Sequence, residues 1–241
     1  MKIFFNFLFL FLYIFAIGEI GLRTISYFIN ISDIEKHKYA KKLIKNSNNP
    51  KLSIEHIPNS QFKLMGVNIV LNSLGHRNKE LAIQKPKNEY RIYIVGSSLI
   101  MGWGVEQEDL FSSIMEKKLN LDENIKKNNK TVTVINSGIM NTNTENHFQL
   151  TKEQFNLTKP DTIILGYFIN DAEIIRKKKD NLILKHSYFV SFAYQKIKSY
   201  FLGDTFENYY IELHNESNLG WLSVNKSIEY SRFRGNIYVN N

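Results

Sequence analysis

The sequence predicts an α/β fold built on a parallel sheet, and three observations predict it. Arg91–Val95, Thr131–Ile135 and Asp161–Leu165 are short apolar, β-branched runs bounded by polar residues or glycine. Fully buried strands have this character. Helical patterns lie between them, and strands alternating with helices imply parallel βαβ units. Each run also ends in a loop carrying glycine: Gly96-Ser97-Ser98, Asn136-Ser137-Gly138, and Gly166-Tyr167-Phe168-Ile169-Asn170-Asp171. Open α/β sheets place their chemistry at that edge.

The elements follow in order. Ile3 to Ile17 is apolar apart from Asn6, and apolar character continues through Ile20-Gly21-Leu22. Extended to Leu22, the run reaches the ~20 residues that span a bilayer. We expect residues 1–29 to be an uncleaved transmembrane anchor, with a cleaved signal peptide as the competing reading. Glu19 and Arg23 are spaced to pair on one helix face at the membrane edge. Residues 30–60 are Asn/Lys-rich, with the turn cluster Asn46-Ser47-Asn48-Asn49-Pro50, and read as a linker or stalk. Residues 61–241 are expected to carry the domain. Gln107 to Leu119 predicts a helix with Leu110, Ile114, Phe111, Met115 and Leu119 on neighbouring turns. Asn143 or Thr144 is placed to cap a second helix through Phe148, Phe155 and Leu157. Arg176 to Asp180 reads as a solvated helix end. Ser187 to Leu202 reads as an aromatic helix with Phe189, Phe192, Ala193 and Ile197 on one face, either core or membrane-surface.

Composition sets limits. The 241 residues suffice for one domain plus an anchor. There is no cysteine, which excludes disulfides, thiolate metal sites and a Cys nucleophile. The net charge of +8 is spread as Lys among Asn and Ile. With no nucleic-acid motif, it reads as a solvated surface, and no nucleic-acid partner is expected. Arg23 and then Lys36, Lys38, Lys41 and Lys42 lie on the carboxyl side of the apolar run, against Lys2 alone before it. Taken literally, the positive-inside rule then puts the domain in the cytoplasm.

The chemistry lies in the three loops. A serine nucleophile needs an exposed hydroxyl, a base, and N–H donors where the oxyanion forms. Ser98 supplies the hydroxyl, Gly138 an unobstructed backbone N–H, and Asn170 a side-chain amide. A phosphate loop is not supported: the Gly96–Gly104 stretch lacks Gly-Lys-Ser/Thr and does not fit Gly-x-Gly-x-x-Gly. A Gly-x-Ser-x-Gly elbow is also absent.

These residues resemble the SGNH/GDSL hydrolase superfamily, and its membrane-anchored bacterial branch in particular. Gly96-Ser97-Ser98 with Gly102-Trp103-Gly104-Val105 is similar to its first block. Gly138 matches the glycine of the second block, and Gly166 with Asn170-Asp171 the third, after Pro160-Asp161. Asn72-x-x-Gly75-x-Arg77 and the Glu19/Arg23 end of the anchor resemble that branch too. The resemblance covers roughly residues 1 to 222 and rests on the ordered blocks together. It implies a flavodoxin-like three-layer α/β/α sandwich with a parallel sheet. It implies Ser98 as nucleophile, and an oxyanion hole from the Ser98 and Gly138 N–H groups and the Asn170 amide. It also implies an acylated small molecule or glycan as substrate, with no metal or cofactor. The implied location is the bacterial inner membrane, single-pass, with the domain on the periplasmic side, against the Lys count.

Two departures stand out. The Asp before the family's serine is Ser97 here, and the Asp-x-x-His block that supplies the base is absent from the sequence. The six histidines are His37, His56, His76, His147, His186 and His214, none in that context. Tyr230–Asn241 shows only a faint strand, so the sheet is expected to be incomplete at its carboxyl end, with the pattern breaking off after about Ile228. Two functions follow as expectations. One is a membrane-anchored serine esterase or acylesterase, impaired by loss of the Asp-x-x-His block. The other is a non-catalytic anchored domain that binds a glycan or a partner.

Overall fold

The computed structural model describes residues 2–82, 84–168, 171, 181–197 and 200–201. Asn170, His214, the basic run 176–180 and the tail 230–241 lie outside the described residues. Helix α1 (Lys2–Phe28) is followed by α2 (Ser32–Lys42), and then by two antiparallel hairpins. The first pairs β1 (Ile44–Asn46) with β2 (Ile54–His56), the second β3 (Gln61–Leu64) with β4 (Val67–Val70). The central unit is β5 (Glu89–Gly96), α3 (Ser98–Met101), α4 (Phe111–Leu121), α5 (Glu123–Lys127), β6 (Thr131–Gly138), α6 (Thr144–Thr158) and β7 (Thr162–Gly166). Helix α7 (Leu182–His186) precedes α8, helical over residues 188–197.

Strands β5, β6 and β7 form a parallel sheet in the order β6-β5-β7, so the strand that carries Ser98 at its end is central. The three expected runs are the three strands. Alternation along them sends side chains to two faces. Tyr93, Val95 and Ile135 pack with Ile139 and with Leu150 of α6. Ile92, Ile94, Val132 and Val134 pack with Met115 and Leu119 of α4 and Ile125 of α5. The chain is therefore mixed α/β, with helices against both faces of a three-stranded parallel sheet.

Helix boundaries have local causes. Asn143 caps α6 by accepting a bond from Asn146 N at 3.0 Å, and Lys159 ends it in the left-handed region with φ 45° before Pro160. Helix α4 starts at Phe111 rather than Gln107. Leu110 is held extended (φ −59°, ψ 140°) with its side chain buried, so the chain turns before the helix begins. Phe111 and Ile114 are consequently exposed, and Met115 and Leu119 face the sheet.

The stretch 30–60, expected as a linker, instead holds α2, β1 and β2. Tyr39 and Leu43 are fully buried in one cluster with Leu64, Ile69 and Met101. The Tyr39 hydroxyl bonds His56 Nε2 at 2.8 Å and accepts from Met140 N at 3.1 Å. The local sequence is polar, but its few apolar residues point one way. This segment therefore backs the loop after β5.

Helix α1 is 27 residues long, and its most apolar window is wholly unburied. Among the described residues it is the one helix long and apolar enough to cross a membrane.

Candidate functional site

The carboxyl edge of the sheet is made by three glycines in register. Gly96 of β5 pairs with Gly138 of β6 on one side and Gly166 of β7 on the other. Their lack of side chains seats α3 on the edge. A Cβ at Gly138 would lie against Met101 N and 2.7 Å from Ile100 C. A Cβ at Gly96 would lie 2.7 Å from Gly166 O, and one at Gly166 would strike the Ile100 side chain. Ser98 is the first residue of α3 and is half-buried, between buried Ser97 and exposed Leu99. As the first helical residue, its N–H has no intrahelical acceptor.

Two residues hold α3 and the loop after it. Asn136 is buried in β6, and its Nδ2 donates to Ile100 O at 2.7 Å and to Ser112 Oγ at 3.1 Å. Arg77 is buried, with Nη1 donating to Met101 O (3.0 Å) and Gly102 O (2.7 Å) and Nη2 to Val105 O (2.6 Å). Its burial pulls the guanidinium below its ordinary pKa. Arg77 is itself presented by an Asx turn. Asn72 Oδ1 accepts from Leu74 N and His76 N, and Gly75 takes φ 79° against His56. The Asn72-x-x-Gly75-x-Arg77 spacing was visible in the sequence. What it does — one side chain gripping three carbonyls some 25 residues on — required the fold.

The expected site residues are placed as follows. Ser98 and Gly138 meet at one edge. The Gly138 N–H, expected as an oxyanion donor, donates to Asn136 Oδ1 at 3.0 Å. Asn170 lies outside the described residues. The residues flanking it are tied together, with Asp171 N donating to Phe168 O and Phe168 N to Asp171 Oδ2, each at 2.8 Å. Ser97, just before Ser98, is 2 % exposed, and its Oγ has no hydrogen-bond partner among the described residues.

No described histidine is hydrogen-bonded to Ser98. His56 is bound by Tyr39 and by Gly75 O, and burial lowers its pKa to about 4. His76 stacks edge-on to Tyr93, and burial lowers it to about 3. His147 bonds Thr142 Oγ1 at 3.0 Å, and burial lowers it to about 4. His37 lies against Tyr188. A cavity of about 180 Å³ is lined by His56, Gly75, His76, Ser137 and Gln154, among others, and does not include Ser98. Among the described residues, no three His, Asp or Glu side chains come together as a metal-holding group.

Chemically, the edge defines a class: an α/β protein with a half-exposed serine after its central parallel strand, on a loop locked from below. No protein-family model, curated protein or solved structure matches this chain.

Proposed function

We propose that this chain is a membrane-anchored serine acyl-hydrolase of the SGNH type, acting on an ester of a small molecule or an envelope glycan. The observation that carries the reading is Ser98, half-buried two residues beyond Gly96, the central-strand residue that is in register with Gly138 and Gly166. In this reading the Ser98 Oγ attacks the ester carbonyl and gives up its proton, the carbonyl oxygen becomes the oxyanion, the alcohol leaves protonated, and water then cleaves the acyl-serine to release the acid and restore Ser98. The Ser98 N–H and the Asn170 amide serve the oxyanion. The Gly138 N–H joins them once it is released from Asn136 Oδ1. The serine proton needs a base, and no described histidine is hydrogen-bonded to Ser98. Turnover is therefore expected to be slow, because a serine without its histidine loses several orders of magnitude in rate. The anchor holds the domain at the membrane, on the periplasmic side.

The test is hydrolysis of p-nitrophenyl acetate by the full chain in detergent. A slow rate that Ser98→Ala removes supports the reading. Equal rates in the two proteins would contradict it.

A second reading has its own observation, the commitment of the Gly138 N–H to Asn136. A domain that keeps the fold without a working oxyanion hole would bind a glycan or partner rather than cleave it. Envelope-glycan binding that Ser98→Ala leaves unchanged, with no hydrolysis, would favour this alternative.

A further inference from the structure

Helix α8 does not join the sheet core; it docks on the anchor. Glu19 of α1 reaches its first turn, accepting from Ser187 Oγ (2.8 Å), Tyr188 N (3.2 Å) and Phe189 N (2.9 Å). Those backbone N–H groups are the ones a helix start leaves unpaired. Arg23, one turn on, bonds Glu19, donates to His186 O at 2.9 Å and lies over the Tyr188 ring at 4.6 Å. Phe189 packs edge-on to Phe15, and a Cβ at Gly18 would lie 2.5 Å from its ring. Gly18 is thus the gap in α1 that Phe189 occupies. At the other end, Lys196 pairs with Asp33 at 3.1 Å, just past the exit of the anchor.

Large apolar side chains on this helix and just beyond its end are uncovered. Ile197, Tyr200 and Phe201 are 58 %, 85 % and 78 % exposed, and Tyr194 is half-exposed. From Phe189 to Ile197 the helical rise is ~12 Å. A water-facing helix rarely shows so many large apolar groups together. The apolar surface is continuous with that of α1, because Phe189 sits beside Phe15, inside the anchor's apolar run. After Lys2, Glu19 and Arg23 are the first charged residues of α1, which sets them at the level of the bilayer interface.

We infer that α8, with Tyr200 and Phe201, is a second membrane element. It lies in the bilayer interface, latched to the anchor by Glu19, and holds the domain against the lipid. Aromatic side chains favour that depth, and amphipathic helices bind there through their apolar face. This rests on the reading of α1 as a membrane span. The occupant is lipid: the exposed side chains lie beside a surface that is itself lipid-facing in that reading.

The absence of cysteine makes the test direct. Single-cysteine variants Ile197→Cys and Phe201→Cys carry a nitroxide in the full chain. The protein is reconstituted into phosphatidylcholine vesicles with phosphatidylglycerol. Leu10→Cys reports the anchor, and Phe148→Cys, exposed on α6, reports the aqueous domain. Collisions with oxygen and with a water-soluble nickel chelate are compared. Labels at 197 and 201 are expected to favour oxygen several-fold, as at Leu10, and Phe148 to favour nickel. Nickel access at 197 and 201 equal to that at Phe148, with Leu10 still in lipid, overturns the inference and leaves the anchor standing. Nickel access at Leu10 overturns the anchor reading and the inference with it. Spin–spin broadening between labels at 197 would indicate a second copy as occupant and likewise overturns it. Glu19→Ala is expected to raise nickel access at 197 and leave Leu10 unchanged. No change at 197 overturns the latch.

Discussion

Gly138 and Ser97 show how side-chain size and polarity govern the serine loop. The Gly138 position faces the backbone of Met101 and Ile100, which cannot move aside as a side-chain tip can. Gly138→Ala is therefore expected to destabilise the fold by about 1–3 kcal/mol, the range of overpacking, and to displace α3. Denaturant unfolding reads the first effect and Ser98 reactivity the second. Ser97 points the other way. Its hydroxyl is buried without a partner among the described residues, so removing it exposes no orphaned group. Ser97→Ala should leave stability within about 0.5 kcal/mol of the parent or raise it, since an unmade hydrogen bond already carries its desolvation penalty. A loss above about 1.5 kcal/mol would mean that the hydroxyl has an acceptor of the strength of a typical hydrogen bond.

Among the elements, α3 with the loop to Val105 is a short segment held from beneath. Gly102 and Gly104 take φ 77° and 74°, and Arg77 fixes three carbonyls of that loop. Arg77→Lys keeps the charge but cannot span Met101 O, Gly102 O and Val105 O with one planar fork. It should cost at least about 2 kcal/mol, because buried acceptors are left unmatched. It should also open the 101–105 loop to proteolysis before the rest of the chain unfolds. Unchanged stability would show that Arg77 is not the clamp. The strands, the capped start of α6 and the long apolar helix α1 were legible, because period, capping residues and run length are local signals. The roles of Arg77, Asn136 and Tyr39 were not. Each acts on a partner far away in sequence, and a buried Arg or Tyr looks like a surface one until the fold is known. The polar stretch 30–60 misled for a related reason: of its apolar residues only Ile34, Tyr39, Leu43 and Leu52 are buried, too few to outweigh its Asn and Lys content. Of the three loops, sequence aligned Gly96, Gly138 and Gly166 by motif, and the sheet register puts them level.

Across the whole molecule, three neutral histidines tie stability to pH. His56, His76 and His147 are held by burial at pKa values of about 4, 3 and 4, below their ordinary value near 6.5. The unfolded chain therefore binds more protons between those limits. The stabilisation they carry is fully present above about pH 6.5 and is lost as pH falls toward 4, at about 1.4 kcal/mol per pH unit for each histidine. Unfolding midpoints of the detergent-solubilised chain should drop between pH 6.5 and 4, and a His56→Gln variant should show a shallower slope. A flat profile would contradict the buried neutral assignment.

The central claim is that Ser98 is a reactive nucleophile at the edge of this sheet. A fluorophosphonate probe on the full chain in detergent, with the adduct mapped by peptide mass spectrometry, tests it most directly. The probe itself demands no turnover, so a slow enzyme still registers. The account predicts a single adduct on Ser98, removed by Ser98→Ala and by unfolding before exposure. A folded protein that takes no label, or takes it at another serine, would contradict it.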